Sequence, residues 1–241
     1  MKKNYTYAFL TVFIWSTLAT IAKILLSDIP NLETLTISSV FAFLFLLGIN
    51  IKNGKIQELR KYSLKDYGIM AGLGFLGLFL YSALYYYGIT MLSSQEACII
   101  NYLWPIMLVV FSCIILKEKF TFIKGIAMLV IWLIVAVCSA IVGPMIEVWK
   151  PIQGAQWLGM IWLGVVIDAV AYLLWALALN GVENSAKIAN FAYLTPFLSL
   201  LVSAVVLKEK IQMRAVVALI FIVGGILLQS FYERFQKDKA A

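Results

Sequence analysis

Tyr102-Leu103-Trp104-Pro105 leads into Leu116-Lys117-Glu118-Lys119, and 91 positions later Tyr193-Leu194-Thr195-Pro196 leads into Leu207-Lys208-Glu209-Lys210. In each copy an apolar, helix-length stretch carries a proline near one end and closes on the same tetrapeptide. Proline lacks an amide donor and clashes with the carbonyl four residues back, so a helix that meets it bends or breaks. Two apolar segments broken at corresponding positions confine the chain to an architecture of two related units with a site near the breaks. Secondary transporters built from repeats have this pattern.

The solvent for such a chain follows from its composition. It has 241 residues, of which 63% are hydrophobic and 13% charged, and a mean hydropathy of +0.95. A soluble domain carries roughly 25% charged residues, so this chain lacks the polar groups to coat a water-facing exterior. The apolar runs are continuous rather than alternating, which excludes a membrane β-barrel. The expected class is therefore all-α, a polytopic helical membrane protein. The run after Lys2-Lys3 continues to Leu26, too long for the apolar region of a cleaved leader.

Eight segments reach the ~17–25 residues that cross a bilayer: 6–26, 33–50, 67–87, 96–116, 123–142, 157–179, 187–207 and 213–230. Turn chemistry separates them at Asp28-Ile29-Pro30-Asn31, Asn53-Gly54, Gly143-Pro144 and Asn180-Gly181. With the N-terminus inside, fourteen of the 19 lysines and arginines fall on the cytoplasmic side and five outside. That bias predicts N-in and C-in. The first LKEK then lies inside and the second outside, so the two units form an inverted-topology pair. Lys208, Lys210 and Arg214 depart from the local charge rule and are read as part of the inherited motif. The net charge of +7 thus serves orientation, and nucleic acid is not an expected partner.

Asn101-Tyr102-Leu103-Trp104-Pro105, Trp15-Ser16, Tyr193-Leu194-Thr195-Pro196 and Gly224-Gly225 resemble the drug/metabolite transporter superfamily. Its EamA-type members are the nearer likeness, in particular bacterial exporters of aromatic amino acids. The resemblance implies two inverted five-helix bundles around a central cavity, with both termini cytoplasmic in a bacterial inner membrane. The family norm is ten helices and this chain has about eight. Counterparts of the first two helices of the second unit should lie between Pro144 and Trp157, where about a dozen residues stand. The chain is either a shortened member that works with a partner subunit or one that lacks a segment. The expected organisation is a five-helix unit over 1–142, an external linker at 143–156, a three-helix unit over 157–230 and a cytoplasmic tail at 231–241. Because the second unit is short, a homodimer or a lipid-filled flank is expected.

Asp168 is the acidic residue placed well inside a span, and an intramembrane carboxylate normally faces a cavity or a partner. Tyr172 and Trp175, four and seven residues on, share its helical face. They add two aromatic walls suited to an ammonium group or an aromatic substrate. The alternative for Asp168 is an inter-helix hydrogen bond that holds the bundle. Asn101 supplies a buried amide, and Pro105 leaves the Asn101 carbonyl without its helical donor; Tyr102 and Trp104 flank them. Asn190, Tyr193 and Pro196 form the repeat-related face, and Lys187 can snorkel to the interface. Trp15, at mid-depth in span one, lies outside the interfacial belt where tryptophan is ordinary. Gly68, Gly72, Gly74 and Gly77 are expected to give span three small faces for helix packing. Glu96 suits a helix N-terminus.

Histidine is absent, and no Walker-type glycine loop or paired carboxylates occur. Neither an enzyme nor an ATP-driven pump is expected. Cys98, Cys113 and Cys138 stand isolated, as small hydrophobes. The partners expected are the bilayer and a small-molecule substrate, with no cofactor. Energy coupling, if present, would be to protons, and facilitated diffusion fits the sequence equally. The leading expectation is a secondary exporter of small metabolites, with a channel-like facilitator or a non-transporting scaffold as alternatives.

Overall fold

The computed structural model describes residues 2–101, 124–182, 188, 190–213, 215–217 and 219–220. Every regular element among them is helical. Span one consists of α1 (Lys2–Ser16) and α2 (Leu18–Leu26), jointed at Thr17. α3 runs over Asn31–Lys52. Span three is α4 (Leu64–Leu73), a π-helical stretch Gly74–Leu80 and α5 (Tyr81–Met91). α6 (Ser94–Asn101) begins the fourth span, and α7 covers Lys124–Ile146. The next span is α8 (Ala155–Ile161), a second π stretch Trp162–Ala171 and α9 (Tyr172–Leu179). A 3-10 turn at Asn190–Leu194 then passes into α10 (Thr195–Val206).

Four of these stretches, Lys3–Leu26, Asn31–Lys52, Leu64–Met91 and Ala155–Leu179, are long and apolar enough to cross a membrane. They coincide with four of the expected spans. Tyr102, Trp104, Pro105, the first LKEK, Cys113, Lys187 and Gly224-Gly225 lie outside the described residues.

The outer surface is apolar: Phe9, Phe13, Leu44, Leu76, Leu84 and Val205 are exposed, while Thr11, Ser16, Thr20, Ser39, Ser139 and Ser203 are buried. Water would reverse this arrangement; lipid tails favour it. Many of the buried hydroxyls bond to a carbonyl of the preceding turn and so do not strand their polar atoms, while those of Thr34 and Thr195 have no partner among the described residues. Thr11 donates to the Tyr7 carbonyl at 2.9 Å, Ser39 to Leu35 at 2.6 Å and Ser139 to Val135 at 2.7 Å. Such side chains are small as well as satisfied, so helices approach closely over them. α3 packs along α7 on one side and along the second π stretch on the other, and span one lies against α9 and α10.

One sequence expectation is corrected. α7 does not stop at Gly143-Pro144 but continues through Pro144 to Ile146. A proline this near a helix end forfeits one hydrogen bond, and the last turn closes through the Glu147 amide on the Gly143 carbonyl at 2.8 Å. Among the described residues, Gly74 of span three abuts Ile134 at 3.3 Å, and nothing would meet a Cβ at Gly68, Gly72 or Gly77. The tight crossings fall at glycines elsewhere. A Cβ on Gly164 would lie 2.0 Å from the Ser38 carbonyl oxygen, and one on Gly143 would lie 2.9 Å from the Trp149 indole nitrogen.

The helix ends are tied by side chains from distant segments. The Lys23 ammonium donates to the Ile89 and Leu92 carbonyls at the end of α5, both at 2.6 Å. At the other end of span one, the Asn4 amide donates to the carbonyls of Ala178 and Asn180 at the end of α9, both at 3.0 Å. Span one therefore caps α5 at one of its ends and α9 at the other. The linker after α7 caps α3: the Leu32 amide donates to Glu147 at 2.9 Å and the Lys150 amide to Glu33 at 2.7 Å.

Candidate functional site

A cavity of about 410 Å³ opens where the joint of span one meets both π stretches. That volume lies in the range of small-molecule pockets. Trp15, Leu18 and Ala19 come from span one, Gly77, Leu78 and Tyr81 from span three, and Asp168, Tyr172 and Trp175 from the span after the linker. Asn101 at the end of α6 and Ser199 of α10 also reach it.

The local backbone explains how these side chains converge. At Thr17 the helix of span one loosens, with the Thr17 hydroxyl turned back to the Ile14 carbonyl at 2.7 Å and accepting from the Trp162 indole at 2.9 Å. Trp15, two residues before that joint, lines the cavity. A π turn adds a residue to the helical repeat and re-aims side chains, which is why such turns recur at functional sites. Asp168 lies in one π stretch and Gly77 in the other, and the two are 91 positions apart, the offset of the sequence repeat. Where one unit places a carboxylate at the cavity, the other places no side chain.

Asp168 is 7% exposed, and its Oδ2 has no hydrogen-bond partner among the described residues. Tyr81, Tyr86 and Tyr172 stand near enough to interact with its charge. Beside it the rings form a cluster: Trp15 lies 5.4 Å from Tyr172 and 5.3 Å from Trp175, centroid to centroid. On the opposite wall the Tyr81 hydroxyl donates to Asn101 Oδ1 at 2.7 Å.

Of the residues singled out from sequence, Trp15, Asn101, Asp168, Tyr172 and Trp175 line this one cavity. Tyr193 and Pro196 are not in its lining, and the Asn190 side chain is outside the described set. Pro196 occupies the first turn of α10, directly after the 3-10 turn. The break is therefore a change of helix type rather than a kink within one α-helix, and Pro196 is buried. Sequence reading missed Tyr81, Tyr85, Tyr86, Cys98 and Ser199, which the structure adds to the lining. A signal for Tyr81 existed, since Tyr81 and Tyr172 are separated by the repeat offset of 91.

The second LKEK turn packs onto the start of α6. Lys208 takes a left-handed backbone at φ 55°, a strained conformation for a non-glycine residue. The turn brings Glu209 onto the start of α6, where it accepts from the Ser94 amide at 3.2 Å and the Ser94 hydroxyl at 2.8 Å. Ser203 lies 2.8 Å from the same hydroxyl and 3.1 Å from that of Thr20. This buried chain of hydroxyls joins span one, α6 and α10, with Thr20 directly after the lining residue Ala19 and Ser203 one turn beyond the lining residue Ser199. Glu96 closes a capping box with Ser93 on the same helix end, accepting from its amide at 3.1 Å and its hydroxyl at 2.9 Å. Among the described residues, no group of acidic or cysteine side chains is arranged to hold a metal ion.

Comparison with known proteins gives a family and a fold. The EamA-like transporter family matches twice, over residues 2–140 and 128–231. No curated protein matches. A solved structure described as "Crystal structure of protein" superposes with a TM-score of 0.67 at 19% identity, over 98% of this chain and 99% of that one. At that identity the likeness speaks for the fold alone.

Proposed function

Because the chain belongs to the EamA-like transporter family, whose members are membrane transporters and not enzymes, we propose that it exports small amphipathic metabolites, aromatic or other amino acids among them, by alternating access. The observation that carries this reading is the cavity: a buried carboxylate without a partner, walled by aromatic rings, at the joint of three spans. Such a site selects a ligand and does not conduct a stream of ions, which favours a carrier over a channel. Alternating access would part the Glu209–Ser94–Ser203–Thr20 contact to open one end, while the Asn4 cap closes the other.

Purified protein reconstituted into vesicles preloaded with an amino-acid panel should give saturable, counterflow-stimulated uptake. Trp175→Ala and Asn101→Ala each remove one contact and should raise KM by about three- to tenfold, the scale of one lost aromatic or hydrogen-bond contact. Flux that rises linearly with concentration and ignores internal substrate would replace the carrier with a facilitator.

The topology belongs to the same proposal: eight spans, both termini cytoplasmic in a bacterial inner membrane, and units over 1–142 and 157–230 in opposite orientation. The fourteen-to-five charge bias supports it. A cysteine placed at 209 in a cysteine-free background should react with a membrane-impermeant maleimide only from outside. Reaction only from the cytoplasmic face would overturn the inverted arrangement. The short second unit leaves one flank for a second copy of the chain or for lipid.

A further inference from the structure

Resting on the carrier reading, we infer that the preferred ligand of the cavity is an aromatic amine bearing one ammonium and no carboxylate, rather than a zwitterionic amino acid. The inference comes from what the cavity contains and what it lacks. Asp168 is 93% removed from solvent and its Oδ2 is unpartnered. A carboxylate in that position attracts a desolvated cation, and the Trp15, Tyr172 and Trp175 rings that line the same cavity supply π systems that attract the same charge. An amino acid brings a second charge, which needs a cation or a set of donors of its own.

Among the described lining residues there is no lysine or arginine. Lys23, on span one, is committed to the Ile89 and Leu92 carbonyls and does not line the cavity. The N-terminus of α10 is no substitute as an anion site. It carries Pro196, which has no N–H, in its first turn, and neither Thr195 nor Pro196 reaches the lining. What the described lining offers a substrate carboxylate is the Asn101 amide with serine and tyrosine hydroxyls, all neutral, in the field of Asp168. Taking a carboxylate out of water against those partners weakens binding. A planar apolar body suits the remaining walls, with Leu18, Leu78 and Ile167 beside the rings.

The test is a ligand series with one body and varied charge: phenethylamine, phenylalanine and 2-phenylethanol, titrated against purified protein by tryptophan fluorescence and by thermal shift. Phenethylamine should bind at least about tenfold tighter than phenylalanine, the scale set by one unpaired charge, and 2-phenylethanol should bind more weakly still. Asp168→Asn should erase the difference between the amine and the alcohol, and Asp168→Glu should keep it. Phenylalanine binding as tightly as the amine overturns the inference, as does an absence of binding by all three. Neither result touches the carrier reading, which saturable counterflow with the amino-acid panel and with phenethylamine decides separately.

Discussion

Asp168→Asn should abolish most substrate flux while leaving the protein inserted and folded. Asparagine keeps the shape of aspartate and a hydrogen-bonding head, and removes the negative charge and the capacity to take a proton. A charge-assisted hydrogen bond contributes about 1.5–3 kcal/mol. Losing it corresponds to a fall of about 10- to 150-fold in kcat/KM for a cationic group, at about 1.4 kcal/mol per decade. Stability should move far less. Asp168 is paired with no cation in the described structure and its Oδ2 bonds to nothing, so the substitution breaks no ion pair, and removing a lone buried charge relieves its desolvation cost. The measurement is initial uptake in vesicles with and without a pH gradient, beside the melting temperature in detergent. Wild-type rates in the variant under both conditions would remove Asp168 from the mechanism and leave it a helix-packing residue. Loss of the pH-gradient dependence alone, with flux retained, would assign it to proton coupling rather than to substrate.

Asp168, Tyr172 and Trp175 were legible in the sequence because lipid makes polarity costly: a carboxylate amid apolar residues stands out, and helical spacing places its neighbours. Trp15 and Asn101 were legible for the same reason, as polar-capable groups at depth. Tyr81 and Tyr86 were not, since the chain has 12 tyrosines and nothing local separates a lining ring from a lipid-facing one. Only the repeat offset marks Tyr81, and it marks it through its distant mate. Hydropathy located the four spans that the described residues establish, because a bilayer fixes the length of what crosses it. It could not reveal the π stretches, whose residues look like any other helix. Nor could it say what the second LKEK does. The role of Glu209 depends on Ser94, 115 positions away, and helix pairing across such distances is not written in local pattern.

Gly164 makes the same point about pairing, and Gly164→Ala should be the most damaging single-methyl change among the described glycines. The added Cβ would fall 2.0 Å from the Ser38 carbonyl oxygen, 2.9 Å from its carbonyl carbon and 2.8 Å from the Phe41 Cβ. The carbonyl is backbone within α3, so relief requires α3 and the π stretch to separate by more than an ångström along their length. Overpacking of this kind costs about 1–3 kcal/mol and occasionally more. At roughly 2–4 °C per kcal/mol for a chain of this size, the melting temperature should fall by about 6–12 °C at the upper end of that cost. Gly159→Ala is the control on the same span. The three atoms nearest its Cβ would all belong to the Leu25 side chain, from 2.8 Å at Cδ2 to 3.1 Å at Cγ, and a side chain yields more readily than a backbone carbonyl, so a shift within about 3 °C is expected. Because Gly164 precedes Asp168 by one turn, any Gly164→Ala protein that survives should also transport poorly, its carboxylate wall displaced from the rings. Equal melting temperatures for the two variants would mean that α3 and the π stretch do not cross as closely as this geometry requires, and would withdraw the crossing that holds Asp168 at the cavity.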